Sequence, residues 1–198
     1  WKYGIKNDIV HNNYAEHIIL RDKVEASGSI FTDDEIKLLW DNADKQIVRW
    51  VLILMYTGMR IGEMLAMPNE SINLEERYMI GGSKTEAGKD RVIPIHDKIM
   101  PLIKEEMGDT KYLIGSKDNA LAYQGVKGRF DNLMKKYNLD HNPHDTRKTA
   151  VSLMHKANIP METIRIIVGH SGKGITEQVY LRKTPQELVD EINKIEIL

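Results

Sequence analysis

The chain contains no cysteine in its 198 residues, which excludes a disulfide scaffold and a thiolate metal site and fits a reducing compartment such as the cytoplasm. Long apolar runs are missing too. The longest, Trp50 to Tyr56, is far below the roughly 20 residues that a membrane span needs, and no signal peptide opens the chain. We therefore expect a soluble protein without a membrane partner.

The chain also lacks an excess of charge of either sign, with 28 Lys and Arg against 29 Asp and Glu. A net charge of −1 gives no support for a nucleic-acid partner, because phosphate binding depends on basic side chains. The distribution is uneven, however, since residues 121–183 hold eleven Lys and Arg against five Asp and Glu. This basic sector fits either a nucleic-acid interface or a mixed solvated surface, and charge alone does not decide between them.

The N-terminal part predicts the domain organisation. The chain begins with Trp1 and not Met, and residues 1–23 are polar and aromatic, so we expect them to be the end of another domain. Ala26 to Ser29 is typical of a linker, and Thr32 forms a capping box with Glu35 in front of an apolar helical pattern. We expect this domain end and linker to cover 1–29, a compact domain 30–184, and a helical tail 185–198.

Hydrophobic periodicity predicts a mainly α fold with one small three-stranded antiparallel β-sheet. The strands are predicted at Ser71 to Leu74, Arg77 to Ile80 and Arg91 to Ile95, with Gly81-Gly82 and Ala87-Gly88 as turn signals before the last of them. The helices that follow the capping box are predicted at Lys45 to Thr57, Ile61 to Met67, Ile99 to Met107, Tyr123 to Tyr137, Thr146 to Ala157, Glu162 to Val168, Thr176 to Leu181 and Gln186 to Ile195.

An arginine at a helix-to-helix turn is the first candidate for chemistry. Arg60 follows Gly58, a predicted helix C-cap, and precedes Glu63 by three residues. Arg60 and Glu63 form either an ordinary surface ion pair or a rigidly held guanidinium suited to bidentate phosphate binding. Farther on, Lys84 lies in the predicted hairpin, where a lysine is usually solvated but can also deliver a proton to an oxygen.

His144 and Arg147 form the second candidate. Pro143 introduces a helix, so a histidine and an arginine three residues apart share one face near a helix N-terminus, which attracts anions. A capping histidine beside an exposed arginine is the ordinary alternative. His170 then follows the end of a helix, and Tyr180 comes ten residues later. Most tyrosines are packing residues, so Tyr180 taken alone indicates little.

Taken in order, these residues resemble the catalytic signature of the tyrosine recombinase family, to which the phage integrases belong. The series is Arg60, Lys84, His144, Arg147, His170 and Tyr180, and the resemblance covers the chain from about residue 30 to its end. Each motif is short, but their order and spacing together are highly specific. The chain looks most similar to integrases of conjugative transposons. It departs from the family's usual second box, with Thr146 where leucine is common and Lys148 where histidine is common.

The resemblance implies a site-specific DNA recombinase that cleaves and rejoins strands through a covalent 3′-phosphotyrosine, for integration and excision of a mobile element. Tyr180 would be the nucleophile. Arg60 and Arg147 would bind the non-bridging phosphate oxygens. Lys84 would act as general acid, and His144 would accept the proton of the tyrosine.

The resemblance also implies supporting residues and partners. His170 would hydrogen-bond the phosphate and Glu63 would orient its neighbours, while three basic residues would contact DNA, namely Lys148, Arg182 and Lys183. No cofactor and no metal are implied, since no Cys, Asp or Glu completes a ligand spacing with His141 and His144. The expected partners are double-stranded DNA, further copies of the chain in a tetramer on DNA, and accessory DNA-bending proteins, all in the bacterial cytoplasm.

The tail and the reaction type leave alternatives open. An apolar stripe on the last predicted helix could pack on its own domain or on a neighbouring copy, and we favour the neighbour; it consists of Leu188, Val189, Ile192 and Ile195. A type IB topoisomerase uses a similar residue set but religates the same strand. The second alternative is a non-catalytic DNA-binding accessory protein. The sequence would favour it if one of the catalytic residues were missing.

Overall fold

The computed structural model describes residues 6–7, 29–82, 90–116, 119–169 and 183–196. The helices in these ranges are Asp33–Trp40 (α1), Gln46–Thr57 (α2), Ile61–Leu65 (α3), Met100–Glu106 (α4), Tyr123–Tyr137 (α5), Pro143–Lys156 (α6), Met161–Val168 (α7) and Pro185–Ile192 (α8). The strands are Ile72–Asn73 (β1), Tyr78–Gly81 (β2), Arg91–Pro94 (β3), Gly115–Ser116 (β4) and Asn119–Ala120 (β5). The predicted fold class, mainly α with a small three-stranded antiparallel sheet, is confirmed.

Helix α2 forms the centre of the core. Its sequence is apolar on all sides from Trp50 to Tyr56, and every residue from Val48 to Thr57 is buried, because α1, α4, α5 and α6 pack around it. Gly58 ends the helix in the left-handed conformation, with φ +66°, as the sequence predicted. The chain therefore leaves the core abruptly at the turn that carries Arg60.

The three-stranded sheet has the order β1-β2-β3, with antiparallel neighbours. Met79 pairs with Ile93 across β2 and β3, and both side chains are buried. Because side chains alternate along a strand, Arg91 points to the same inward face as Ile93. A second pair, β4 with β5, was not predicted, since two residues per strand are too few to show an alternating pattern.

Capping residues fix where the helices begin. Thr32 and Glu35 form the predicted capping box at the start of α1. Helix α6 begins at Pro143, three residues before the start that apolar periodicity predicted, with Asn142 as N-cap and Asp145 closing a second capping box. The predicted start was too far along the chain because apolar periodicity begins only after the first turn of the helix. A proline fits in that first turn, since its backbone N–H, which is missing, would have no partner there.

Helix α8 packs against β3 of the same chain. The predicted apolar stripe is buried; it consists of Leu188, Val189 and Ile192 in the helix and Ile195 just beyond its end. His96 Nε2 lies 3.0 Å from the carbonyl oxygen of Ile195, and the backbone N–H of Asp97 donates to the side-chain oxygen of Asn193. Docking on a neighbouring copy, which the sequence favoured, stays a prediction, as do the domain limits at residues 29 and 184.

The predicted helix Thr176 to Leu181 lies outside the described residues. Among the residues that are described, the helices are too short or too polar to cross a membrane.

Candidate active site

Arg60 lies at the turn between α2 and α3 and is held by Glu63. The backbone of Arg60 is extended at the N-cap position, and its N–H donates to Glu63 Oε2 at 2.9 Å. The Arg60 guanidinium donates through Nη1 to Glu63 Oε1, also at 2.9 Å. The Glu63 side chain is only 4% exposed, whereas that of Arg60 is 30% exposed. This is not the ordinary surface pair, because a buried carboxylate holds a partly exposed cation.

Arg91 is the second partner of Glu63, and sequence reasoning missed it. Its Nη2 donates to Glu63 Oε2 at 2.9 Å and its Nη1 to Glu63 Oε1 at 3.2 Å. Burial by itself would raise the pKa of Glu63, but the hydrogen bonds from Arg91 and Arg60 and the charge of Arg91 hold that pKa below its usual value. A charged residue at an inward position of an apolar strand is the signal that could have found Arg91.

Arg147 reaches the same region from α6. Its Nη1 donates to the carbonyl oxygen of Gly58 at 2.6 Å, and its Nη2 donates to the carbonyl oxygen of Val168. Burial, together with the nearby charge of Arg60, lowers the pKa of Arg147 to about 10, which leaves it charged at neutral pH. The alternative of an exposed arginine is wrong, since Arg147 is 2% exposed.

His144 lies at the exposed rim of the site, one helical turn before Arg147. Its backbone N–H donates to the side-chain oxygen of Asn142, so capping falls to Asn142 and leaves the imidazole of His144 unused for it. Desolvation lowers the pKa of His144, and the positive charges of Lys148, Arg147 and Arg60 lower it further. The imidazole is therefore neutral at pH 7 and able to accept a proton.

These side chains line one cleft of about 500 Å³. The described residues that line it are Arg60, Ile61, Gly62, Glu63, Tyr123, Lys127, Asn142, Pro143, His144 and Arg147. Two of them, Tyr123 and Lys127 on α5, were not predicted as site residues. They are four residues apart and thus share one helix face within the basic sector, which is the signal that could have found them. The cleft is rich in cationic groups and suits an anion.

Two of the predicted DNA-binding residues are paired within the chain. Lys148 Nζ lies 3.3 Å from Oδ1 of Asp145, which is buried, and Lys183 Nζ lies 3.3 Å from Glu191 Oε1. Neither ammonium is among the described groups that line the cleft. Thr146, the departure from the usual second box, is buried and donates its hydroxyl to the carbonyl oxygen of Pro143.

Four predicted site residues lie outside the described residues: Lys84, His170, Tyr180 and Arg182. The structure thus brings Arg60, Glu63, His144 and Arg147 together at one cleft. The described chain on either side of Lys84 ends at Gly82 and resumes at Asp90, and Gly169 immediately precedes His170.

The fold is that of integrases. A solved structure of the Tn1549 transposon integrase in complex with circular intermediate DNA has a TM-score of 0.67 and 19% identity, and the match covers 96% of this chain and 74% of that one. Residues 29–187 match the model of the phage integrase family. The chain belongs to the phage integrase family, as the sequence predicted.

Named relatives of two kinds match the chain. The tyrosine recombinase XerA of Pyrococcus horikoshii is 29% identical over 184 residues, covering 84% of this chain and 61% of the relative. The transposase from transposon Tn916 of Enterococcus faecalis is 24% identical, covering 97% of this chain and 58% of the relative. The chain therefore spans about three fifths of the length of these curated relatives.

Proposed function

We propose that this chain is the catalytic part of a site-specific DNA recombinase that cleaves and rejoins strands through a covalent 3′-phosphotyrosine. The observation that carries the proposal is the arrangement of Arg60 and Arg147. The guanidinium groups come from different elements, that of Arg60 from the turn between α2 and α3 and that of Arg147 from α6. They line one cleft and are each fixed by hydrogen bonds to groups around that turn. Two planar, permanently charged donors suit the non-bridging oxygens of a phosphodiester and the negative charge that develops on them.

In the proposed reaction, the phenolic oxygen of Tyr180 attacks the scissile phosphorus. A bond forms between this oxygen and phosphorus, and the bond between phosphorus and the 5′ oxygen breaks. His144 accepts the phenolic proton, Lys84 gives a proton to the leaving 5′ oxygen, and His170 donates a hydrogen bond to the phosphate. The phosphodiester energy stays in the phosphotyrosine, so a 5′-hydroxyl can reverse the step and rejoin the strand.

The environment of His144 supports its role as proton acceptor. A tyrosine has an unperturbed pKa of about 10, so attack at neutral pH benefits from a neutral base. Three cationic side chains and desolvation keep the pKa of His144 below its usual value. The imidazole is therefore in the form that can take the proton.

The proposed substrate is duplex DNA at the ends of a mobile element. The Tn1549 integrase structure contains circular intermediate DNA, and the Tn916 relative is named as a transposase. We extend the proposal to a tetramer on DNA in the bacterial cytoplasm, with accessory DNA-bending proteins. Lys148, Arg182 and Lys183 would contact the DNA backbone, for which Lys148 would exchange the carboxylate of Asp145 for a phosphate.

The experiment that tests the proposal uses a library of nicked suicide duplexes with randomised sequence on both sides of the nick. The nick lets the short 5′-hydroxyl fragment diffuse away, so that the covalent adduct accumulates. We expect the wild-type chain to form an adduct that survives a denaturing gel, and Tyr180→Phe, which keeps the ring but lacks the nucleophile, to form none. Sequencing the trapped DNA would give the preferred site. Adduct formation by Tyr180→Phe would contradict the assignment, as would its absence for the wild type with every duplex.

The plasmid products distinguish a recombinase from a type IB topoisomerase. Duplexes trapped in the library would be rebuilt as two unnicked sites on one supercoiled plasmid. A recombinase gives deleted or inverted plasmid, whereas a type IB topoisomerase gives relaxed plasmid without recombinant product.

A further inference from the structure

The carboxylate of Glu63 is shared equally between two arginines. Its Oε1 accepts hydrogen bonds from Nη1 of Arg60 at 2.9 Å and from Nη1 of Arg91 at 3.2 Å. Its Oε2 receives the backbone N–H of Arg60 and Nη2 of Arg91, both at 2.9 Å. Each oxygen thus accepts one bond from the arginine that lines the cleft and one from the arginine behind it.

Arg91 also reaches the end of α7. Its Nε donates to the carbonyl oxygen of Ile167 at 2.9 Å, while the next carbonyl oxygen, that of Val168, accepts from Arg147. The side chain of Arg91 is 5% exposed, and it is not among the described residues that line the cleft. Arg91 therefore joins Glu63 to the segment that immediately precedes His170 without facing the cleft itself.

We infer that Arg91 is a positioning residue of the proposed cleavage reaction: it occupies half of the Glu63 carboxylate and thereby leaves the charge of Arg60 available to a phosphodiester. The inference rests on the proposed function. Without Arg91, the carboxylate would have one cationic partner left at this contact, and Arg60, the more exposed of the two arginines, would move toward it and away from the phosphate.

The charges of the cluster give this role a signature that a purely structural ion pair lacks. Arg60, Arg91 and Arg147 carry three positive charges against the single negative charge of Glu63. Replacing Arg91 by methionine lowers the net charge by one, and replacing Glu63 by glutamine as well restores it. The loss of cleavage rate caused by Arg91→Met should therefore be partly reversed when Glu63→Gln is added, which a double-mutant cycle measures.

Arg49 provides a matched control. Its side chain is 8% exposed and its Nε lies 2.6 Å from Glu106 Oε1, so it is also a buried arginine paired with a carboxylate. It lies near the start of α2, at the opposite end of that helix from Gly58 and the cleft. Arg49→Met should lower the melting temperature as Arg91→Met does and leave the cleavage step unchanged in rate.

The test compares the wild type with four variants: Arg91→Met, Arg91→Lys, Arg91→Met with Glu63→Gln, and Arg49→Met. For each protein we would measure single-turnover cleavage of the suicide duplex selected from the library, affinity for that DNA, and melting temperature. We expect Arg91→Met to slow cleavage by about 100-fold, because small displacements of a phosphate ligand are costly. We expect the DNA dissociation constant to rise by no more than about tenfold, the loss at one phosphate, so that the remaining loss of rate lies in the transition state. Arg91→Lys should be intermediate, because one ammonium cannot reproduce the fork on Glu63 and the bond to Ile167 together.

The double variant decides the mechanism. Faster cleavage by the double variant than by Arg91→Met supports the inference, and equal or slower cleavage overturns it. Cleavage by Arg91→Met at the wild-type rate also overturns it, as does an equal loss of rate in Arg49→Met.

A second readout separates this inference from the proposed function. Inorganic phosphate is titrated into the same variants and followed by the NMR resonances of the arginine side chains. We expect Arg91→Met to weaken phosphate binding at Arg60 by about tenfold. The double variant, which adds Glu63→Gln, should regain part of this binding. If the wild type cleaves no duplex, the proposed function fails while this measurement still decides the role of Arg91. Absence of phosphate binding in the wild type would overturn that role.

Discussion

The guanidinium of Arg147 donates through Nη1 to the carbonyl oxygen of Gly58 at 2.6 Å. Gly58 is the left-handed residue that ends α2, and the other terminal nitrogen of Arg147 binds the carbonyl oxygen of Val168 at the end of α7. One buried side chain thus joins the ends of two helices that are more than one hundred residues apart in sequence. Arg147, the proposed phosphate ligand, is fixed in this way and needs no reorganisation when charge develops on the phosphate.

Arg147→Lys should therefore affect both stability and cleavage. A lysine keeps the charge, but a single ammonium cannot donate along the two directions that Gly58 and Val168 require. We expect the free energy of unfolding to fall by about 1–3 kcal/mol because a buried carbonyl loses its donor, and cleavage to slow by about 100-fold. Chemical denaturation and single-turnover cleavage measure the two effects. Arg165→Lys, at an exposed position of α7, is the control and should change neither.

Gly58→Ala tests the turn itself. The residue has φ +66°, which costs a residue with a Cβ about 1–2 kcal/mol. An added Cβ would also lie 3.1 Å from Cγ1 of Val168, so the neighbour would have to shift. Gly128→Ala is the matched control in the middle of α5, where an added Cβ meets nothing within 4 Å and should stabilise by about 0.5–1 kcal/mol. Thermal denaturation giving the same sign for both variants would contradict this account of the turn.

The two arginines that contact Glu63 show how far the sequence could predict this site. The spacing of Arg60 and Glu63 predicted their contact, because three residues on a helix fix two side chains on one face. The burial of Glu63 could not be predicted from that spacing, since it depends on Arg91, which lies 28 residues farther along the chain. In the same way, Pro143 predicted a helix start beside His144, whereas the bonds of Arg147 to Gly58 and Val168 needed the tertiary fold.

The rate of cleavage should depend on pH through His144. A neutral imidazole is needed to accept the tyrosine proton, and the pKa of His144 is lowered by desolvation and by nearby positive charges. The rate contributed by this base should therefore be complete at neutral pH and fall only below the ordinary histidine value of about 6.5. Single-turnover rates between about pH 5 and pH 8 measure the inflection. His144→Gln should be slower at neutral pH and lack this inflection; an unchanged inflection in His144→Gln would assign it to another group.

Glu63 should make the fold acid-sensitive. Its pKa is lowered in the folded chain from the ordinary value of 4.5, so the stability it contributes is complete above that value and is lost as pH falls through the lowered pKa. At pH 7, Glu63→Gln should cost about 3–5 kcal/mol, because Arg91 would keep a buried charge without its carboxylate partner. We expect the difference in unfolding free energy between wild type and Glu63→Gln to shrink as the pH is lowered. Urea denaturation at several pH values tests this, and a difference that is constant with pH would contradict it.

The packing of α8 gives the last prediction, because it separates attachment to the same chain from attachment to a neighbouring copy. Ile192 is fully buried in contact with the rest of the core, and truncating such a side chain costs about 2–5 kcal/mol. If α8 stays on its own chain, Ile192→Ala should lose this free energy of unfolding equally at low and high protein concentration. Ile80→Ala, which removes the same atoms from a side chain that is 42% exposed, should lose much less. If α8 instead docks on a neighbour in solution, the stability of the wild type will rise with protein concentration, and Ile192→Ala will weaken self-association measured by analytical ultracentrifugation.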